Sequence, residues 1–196
     1  MIYQSITDKT SLALKEKGSK FIGVAFPCNS IDSFKSELAE IQLEFPKATH
    51  YCYGYRFFGP PVSFRANDDG EPTNSAGIPI LGQIQSFNLF DIGIVVVRYY
   101  GGTKLGVGGL VQAYKGAAKL VLENSTIYYK EPSKTYKISG DFLSISQLLS
   151  NLKKQEIKII SHKLLEEAEI SIEISESKFP EIKTILSQFN IEVKPE

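Results

Sequence analysis

Gly93–Leu122 reads GIVVVRYYGGTKLGVGGLVQAYKGAAKLVL. A run of β-branched residues leads through a glycine-rich segment with a single lysine into a stretch whose apolar positions repeat at helical spacing. The pattern predicts a buried strand, a loop and an amphipathic helix in direct succession. Five glycines, Gly101, Gly102, Gly106, Gly108 and Gly109, fall within nine positions of that junction. Glycine lets a second backbone or an anion come close. The first N–H groups of a helix lack internal acceptors and lie at the positive end of its dipole, so this junction is a candidate cradle for phosphate or carboxylate, with Lys104 adding a point charge. The competing reading is a tight turn whose glycines serve packing alone. The spacing fits neither standard nucleotide motif: no Ser or Thr follows Lys104, and Val111 stands where the dinucleotide fingerprint has its third glycine.

Working outward, Thr49–Phe58 alternates strongly. A strand there places Tyr51, Tyr53, Tyr55 and Phe57 on one face and His50, Cys52, Gly54 and Arg56 on the other. The aromatic face reads as core, and the His/Gly/Arg face as small enough to admit a ligand. Upstream, Leu12–Glu16 and Lys20–Phe26 form a hairpin turning at Lys17-Gly18-Ser19. A helix over about Asp32 to Phe45 follows, closed by Pro46. Between Pro60-Pro61 and the lead strand lie a short strand, the acidic turn Asp68-Asp69-Gly70-Glu71-Pro72, and a helix over about Ser75 to Ser86. The acidic turn has three readings: a divalent-cation site without calcium-loop spacing, an acid/base pair without an identifiable nucleophile, or a structural turn. In the last, Glu71 meets an arginine and Asn74 or Ser75 caps the helix. His50 shares a face with Cys52, which leaves a Cys/His pair open beside a purely structural histidine.

Fourteen of the 15 glycines lie at or before Gly116, which marks two composition regimes joined near Lys130–Lys134. The expected domains are residues 1–129 and 135–196. The second reads strand, helix, two strands, helix, strand: Tyr136–Ser139, a helix bearing Phe142, Ile145, Leu148, Leu149 and Leu152, strands around 156–164 and 168–174 with a hairpin at 165–167, a helix with Ser177 as N-cap, and Ile191–Val193. This βαββαβ order is the ferredoxin-like plan, and the class of the whole chain is α+β.

Lys plus Arg and Asp plus Glu are equal at 22 each, which removes the bulk charge that drives nonspecific nucleic-acid binding. A nucleic-acid contact therefore needs a local patch. No apolar stretch approaches the roughly 20 residues that span a bilayer, so no membrane partner is expected. Cys28 and Cys52 lack metal-ligand spacing, and no signal-peptide pattern opens the sequence; both read as reduced, buried thiols of a cytoplasmic protein. No cofactor, metal or catalytic residue is indicated, and no feature speaks to oligomeric state.

Lys17-Gly18-Ser19-Lys20-Phe21-Ile22, His50–Arg56, Asp68–Pro72 and Val97–Gly106, in that order, closely resemble the YigZ/IMPACT family. The resemblance is strong over residues 1 to about 125. It implies a first domain similar to the second domain of a ribosomal small-subunit protein and a second domain like the ferredoxin-like domain V of elongation factor G. It also implies a role in regulating translation, since eukaryotic members resemble competitors for an activator of a stress-responsive initiation-factor kinase. That role is associated with an extra N-terminal domain, so the specific partner does not carry over. The resemblance brings no catalytic residue. This sequence departs from it at Ile78 and Gln112, where cations are common, at Asn74-Ser75, and at Val107 in place of a frequent threonine.

The function expected is a non-enzymatic module that binds RNA, the ribosome or a translation-related protein through an anion-accepting face. That face comprises His50, Arg56, Asp69, Glu71, Arg98, Gly101, Gly102, Lys104, Gly106, Gly108 and Gly109. The alternative is an enzyme or sensor for a small phosphorylated or carboxylated metabolite held at the same loop.

Overall fold

The computed structural model describes residues 2–165 and 167–195. The chain divides into two compact units, Tyr3–Lys130 and the segment that begins at Glu131. In the first unit the elements run β1 (Tyr3–Ile6), β2 (Thr10–Glu16), β3 (Ser19–Pro27), α1 (Ile31–Glu44), β4 (His50–Phe57), β5 (Ser63–Asn67), α2 (Gly77–Ser86), β6 (Ile92–Tyr99), α3 (Gly106–Glu123) and β7 (Ile127–Lys130). In the second they run β8 (Ser133–Asp141), α4 (Phe142–Lys154), β9 (Lys158–Lys163), β10 (Glu167–Ser175), α5 (Phe179–Leu186) and β11 (Ile191–Pro195).

Five antiparallel strands form the central sheet of the first unit, in the order β2-β3-β6-β4-β5. The lead strand β6 is its middle member and is buried on both faces, which is why its sequence reads as continuous Val and Ile rather than as an alternation. Ile92, Ile94 and Val96 face α2 and α3; Val95 and Val97 face α1. The aromatic face of β4 lies under α1, where the Phe34 ring meets those of Tyr53 and Tyr55 at 4.9 Å each. Its opposite face is roofed by α2. A Cβ on Gly54 would stand 3.0 Å from the Leu81 backbone nitrogen. The expectation of an open His/Gly/Arg face therefore survives only at the His50 end.

The turn between β2 and β3 is Lys17-Gly18, both with positive φ (45° and 81°), the geometry of a two-residue hairpin. A four-residue ribbon, β1 paired with β7, ties the start of this unit to its end and was not anticipated. Asp91 anchors it: its carboxylate accepts from the Tyr3 hydroxyl, from Lys130 Nζ at 2.9 Å and from the Phe58 N–H at 3.0 Å.

The second unit has a four-stranded sheet of order β11-β8-β10-β9, the ferredoxin-like arrangement expected. Ile138, Ala168, Ile170, Ile172 and Ile174 of the sheet pack with Ile145, Leu148 and Leu152 of α4 and Ile182 and Leu186 of α5. Asp141 caps α4 by accepting from the Ser144 N–H at 2.9 Å. For α5 the expected cap is corrected: the N-cap is Lys178 rather than Ser177, among the described residues no side chain caps it, and Pro180 sits in its first turn. The hairpin expected at 165–167 falls partly outside the described residues. Among the described residues, no helix is long and apolar enough to cross a membrane.

Candidate functional site

Four segments converge at one end of the central sheet: the end of β6, the start of β4, the β2–β3 turn and the start of α3. The register places Arg98 opposite His50, and Tyr99 opposite Lys20. Beyond β6, the Tyr100 N–H donates to Thr49 Oγ1 at 3.1 Å and the Gly101 N–H to Ser19 Oγ at 3.2 Å. Gly101 lies flat against Gly18, and a Cβ there would stand 1.9 Å from the Gly18 carbonyl carbon. That glycine is a packing requirement, as the competing reading held.

The next part of the segment behaves differently. Helix α3 starts at Gly106 after Leu105, and among the described residues no side chain caps it. The N–H groups of Gly106, Val107 and Gly108 have no hydrogen-bond acceptor among the described residues. Gly106 and Val107, with Gly108 next in the chain, lie at a cleft of about 440 Å³ bordered also by His50, Glu71, Arg98, Tyr100 and Lys104. The rest of its wall is apolar: Pro72, Leu105, Val107 and Leu110.

The polar floor is a closed network. Arg98 Nη1 donates to Glu71 Oε1 at 2.5 Å, and the Tyr114 hydroxyl donates to the same oxygen at 2.7 Å. Burial pushes the Tyr114 hydroxyl well above the ordinary phenol range, so it stays protonated and able to donate. His50 Nε2 stands 3.9 Å from Glu71 Oε1, while Nδ1 meets the Asp69 carbonyl oxygen at 2.6 Å. A carbonyl only accepts, so Nδ1 carries a proton, and Nε2 is left toward the Glu71 carboxylate. Among the described residues Arg98 Nε is buried without a hydrogen-bond partner. The Arg98 guanidinium also lies 5.4 Å from the centroids of the Phe21 and Tyr100 rings.

The acidic turn is a structural turn. Asp68 accepts from the N–H groups of Asn74 at 2.8 Å, Ala76 at 3.0 Å and Gly77 at 2.8 Å, so it caps α2 in place of Asn74 or Ser75. Asp69 accepts from the Tyr51 N–H at 2.6 Å. Among the described residues no group of three or more His, Cys, Asp or Glu side chains is placed to hold a metal ion. Cys52 is fully buried and donates to the Asp68 carbonyl at 3.0 Å; burial raises its pKa, which removes it as a nucleophilic partner for His50.

Of the residues singled out in the sequence, His50, Glu71, Arg98, Lys104 and Gly106 line the cleft. Asp69 orients His50 from behind. Gly102, Gly108 and Gly109 flank the cleft along the chain, and Gly101 fixes the loop. Arg56 is not part of the site: its guanidinium stacks 3.7 Å above the Phe90 ring, with Nη1 3.5 Å from the Leu89 carbonyl oxygen. Two residues escaped the sequence reading, Tyr100 at the rim and Tyr114 in the floor. Tyr100 is 47% exposed directly before the double glycine, and an aromatic in that place was the available signal. The Arg98 charge is balanced by Glu71, so Lys104 is the cation left facing the cleft; among the described residues it has no ion-pair partner.

The family model for the Impact N-terminal domain matches residues 17–122, a span that contains every residue lining this cleft. The IMPACT family member YigZ of Escherichia coli (strain K12) is 30% identical over 176 residues, covering 89% of this chain and 86% of that protein. The IMPACT family member YvyE of Bacillus subtilis (strain 168) is 30% identical over 160 residues, covering 80% of this chain and 74% of that protein. A crystal structure described as that of a hypothetical protein aligns over 98% of this chain and 96% of its own, with a TM-score of 0.74 at 26% identity. The chain belongs to the IMPACT family.

Proposed function

We propose that this protein is a non-enzymatic regulator of translation that binds an anionic partner, RNA, the ribosome or a regulatory protein, through the cleft at the β6–α3 junction. The observation that carries the reading is the pairing of unfilled N–H groups at Gly106, Val107 and Gly108 with the uncompensated Lys104 beside the same opening. An anion there gains main-chain donors, a helix dipole and one ammonium group together. Family membership supports the translational context. Lys104→Ala is expected to weaken binding to ribosomes and to RNA oligonucleotides uniformly across sequences and to lower the salt slope by about one. Undiminished binding by this variant would refute the reading.

A second reading, a small phosphorylated or carboxylated metabolite acted on or sensed in the cleft, is favoured by one observation: the Asp69 carbonyl fixes the ring of His50, which lines the opening. In that case Lys104→Ala removes thermal stabilisation by one metabolite and leaves RNA binding untouched.

A further inference from the structure

The lysines of the first unit are not evenly placed. Lys15, Lys17 and Lys20 flank the β2–β3 turn, Lys47 precedes β4, and Lys104 precedes α3. The strand register brings all of these segments to the end of the sheet that bears the cleft: Lys15 pairs with Lys20, Lys20 with Tyr99, and Arg98 with His50. All five lysines are exposed, and among the described residues none has a carboxylate within ion-pair distance. Elsewhere in the unit Lys35 and Lys115 also stand without a carboxylate within ion-pair distance among the described residues, but they are isolated on helices, and the remaining lysines are paired. Lys9 is paired with Glu37 at 3.2 Å, Lys119 with Glu123 at 3.4 Å and Lys130 with Asp91 at 2.9 Å. Exposed carboxylates at the cleft end are Glu16 in the turn, Glu44 at the end of α1 and Asp69 beside His50, three against five lysines. Overall neutrality therefore conceals a local positive band.

Unpaired, clustered lysines cost self-repulsion that a polyanion relieves. Strand ends lie about 4.8 Å apart, so the band from β2 across β3 and β6 to β4 is roughly 14 Å long and one strand thick. Set within it is the exposed Tyr100 ring at the rim of an apolar cleft. Cations along a narrow track with an aromatic platform among them are the two elements by which single-stranded nucleic acid is held without sequence readout. An acidic peptide would use the lysines and leave the aromatic cleft unexplained.

We infer that a single-stranded RNA segment crosses the strand ends of the first unit, with phosphates on the Lys15/Lys17/Lys20 cluster, on Lys104 and on Lys47, and one base stacked against Tyr100. This rests on the reading of the cleft as an anion site and extends it to four lysines outside that site. The occupant is an unpaired strand, whose bases are free to enter the cleft.

The test is fluorescence anisotropy of a labelled oligouridylate of about 12 nucleotides bound to the full chain over a range of salt, with an RNA duplex of equal length and a polyglutamate peptide as comparators. About three phosphate contacts give a slope of log K against log salt near −2. The Lys15/Lys17/Lys20→Gln variant removes one of these contacts and is expected to flatten that slope to about −1.4 and to weaken binding roughly tenfold. The charge-matched Lys9/Lys35/Lys119→Gln variant is expected to keep the parent slope, and circular dichroism reports whether both variants fold. Tyr100→Ala is expected to weaken binding with no change in slope. Equal losses in the two triple variants would overturn the inference in favour of net charge alone. Loss with Lys104→Ala but none with the turn variant would overturn the footprint and leave the cleft reading standing. Tighter binding of the duplex, or of polyglutamate, would overturn the single-stranded assignment, and no binding of any probe would remove both readings.

Discussion

Arg98 and Glu71 are 27 positions apart in the chain and form an ion pair in which both side chains are nearly buried, 6% and 4% exposed. A buried pair is worth little against two apolar residues, but removing one member strands the other charge. Glu71→Gln is therefore expected to destabilise the first unit by about 3–5 kcal/mol, which lowers its melting temperature by roughly 10–20 °C. The paired replacement Arg98→Met with Glu71→Leu should recover most of the loss. Calorimetry of the three variants checks this, and a single variant as stable as the parent would show that the pair is solvated.

Gly101 and Gly82 should respond in opposite ways to alanine. A Cβ at Gly101 has nowhere to go beside Gly18, whereas at Gly82, inside α2, nothing lies within 4 Å. Gly82→Ala should stabilise by about 0.5–1 kcal/mol through helix propensity and a less flexible unfolded chain. Gly101→Ala should destabilise by at least about 2 kcal/mol and shift the amide resonances of residues 17–20. Chemical denaturation of both variants, read beside an amide spectrum of Gly101→Ala, provides the comparison.

Asp68 holds three consecutive features of the acidic turn through its two oxygens, and its loss frees the start of α2. Asp68→Ala should cost about 2 kcal/mol, at the upper end for a helix cap, with Asp68→Asn nearer half of that. Hydrogen exchange localises the effect: faster exchange in α2 than in α1 is the expected signature.

Alkaline pH should unfold the first unit. Burial raises the pKa of Cys28, Cys52 and Tyr114 in the folded chain. In the unfolded chain thiols ionise near 8.5 and phenols near 10, so above those values the unfolded state releases protons that the folded state keeps. Stability is complete below about pH 8.5 and falls as pH rises, by about 1.4 kcal/mol per unit for each group. Cys28→Ala should shallow the decline between pH 9 and about 11. Native-state alkylation of either thiol should follow the unfolding rate rather than the pH. A flat stability profile up to pH 10 would contradict the burial assigned to these groups.

The elements were legible in the sequence wherever local pattern decides them. The valine run of β6, the alternation of β4 and the periodic face of α3 each name their state because burial imposes the period. The β1–β7 ribbon was not legible: four residues carry no period, and their pairing closes a loop of more than 100 residues. Arg56 shows the limit of a period-two argument. It shares a face with His50, yet six residues of extended chain carry it about 20 Å away, and α2 covers the interval at Gly54. The role of Asp68 was hidden for a related reason, because its acceptor capacity is defined by a turn that folds back on itself.

The most direct test of the account is an amide-resonance titration of the isotopically labelled chain with single-stranded oligouridylate at low salt. The predicted result is a contiguous set of shifted resonances at residues 15–20, 47–50 and 100–110, with the largest changes at Gly106, Val107 and Gly108. Shifts confined to the second unit, or to the β1–β7 ribbon, with these amides unmoved, would contradict it.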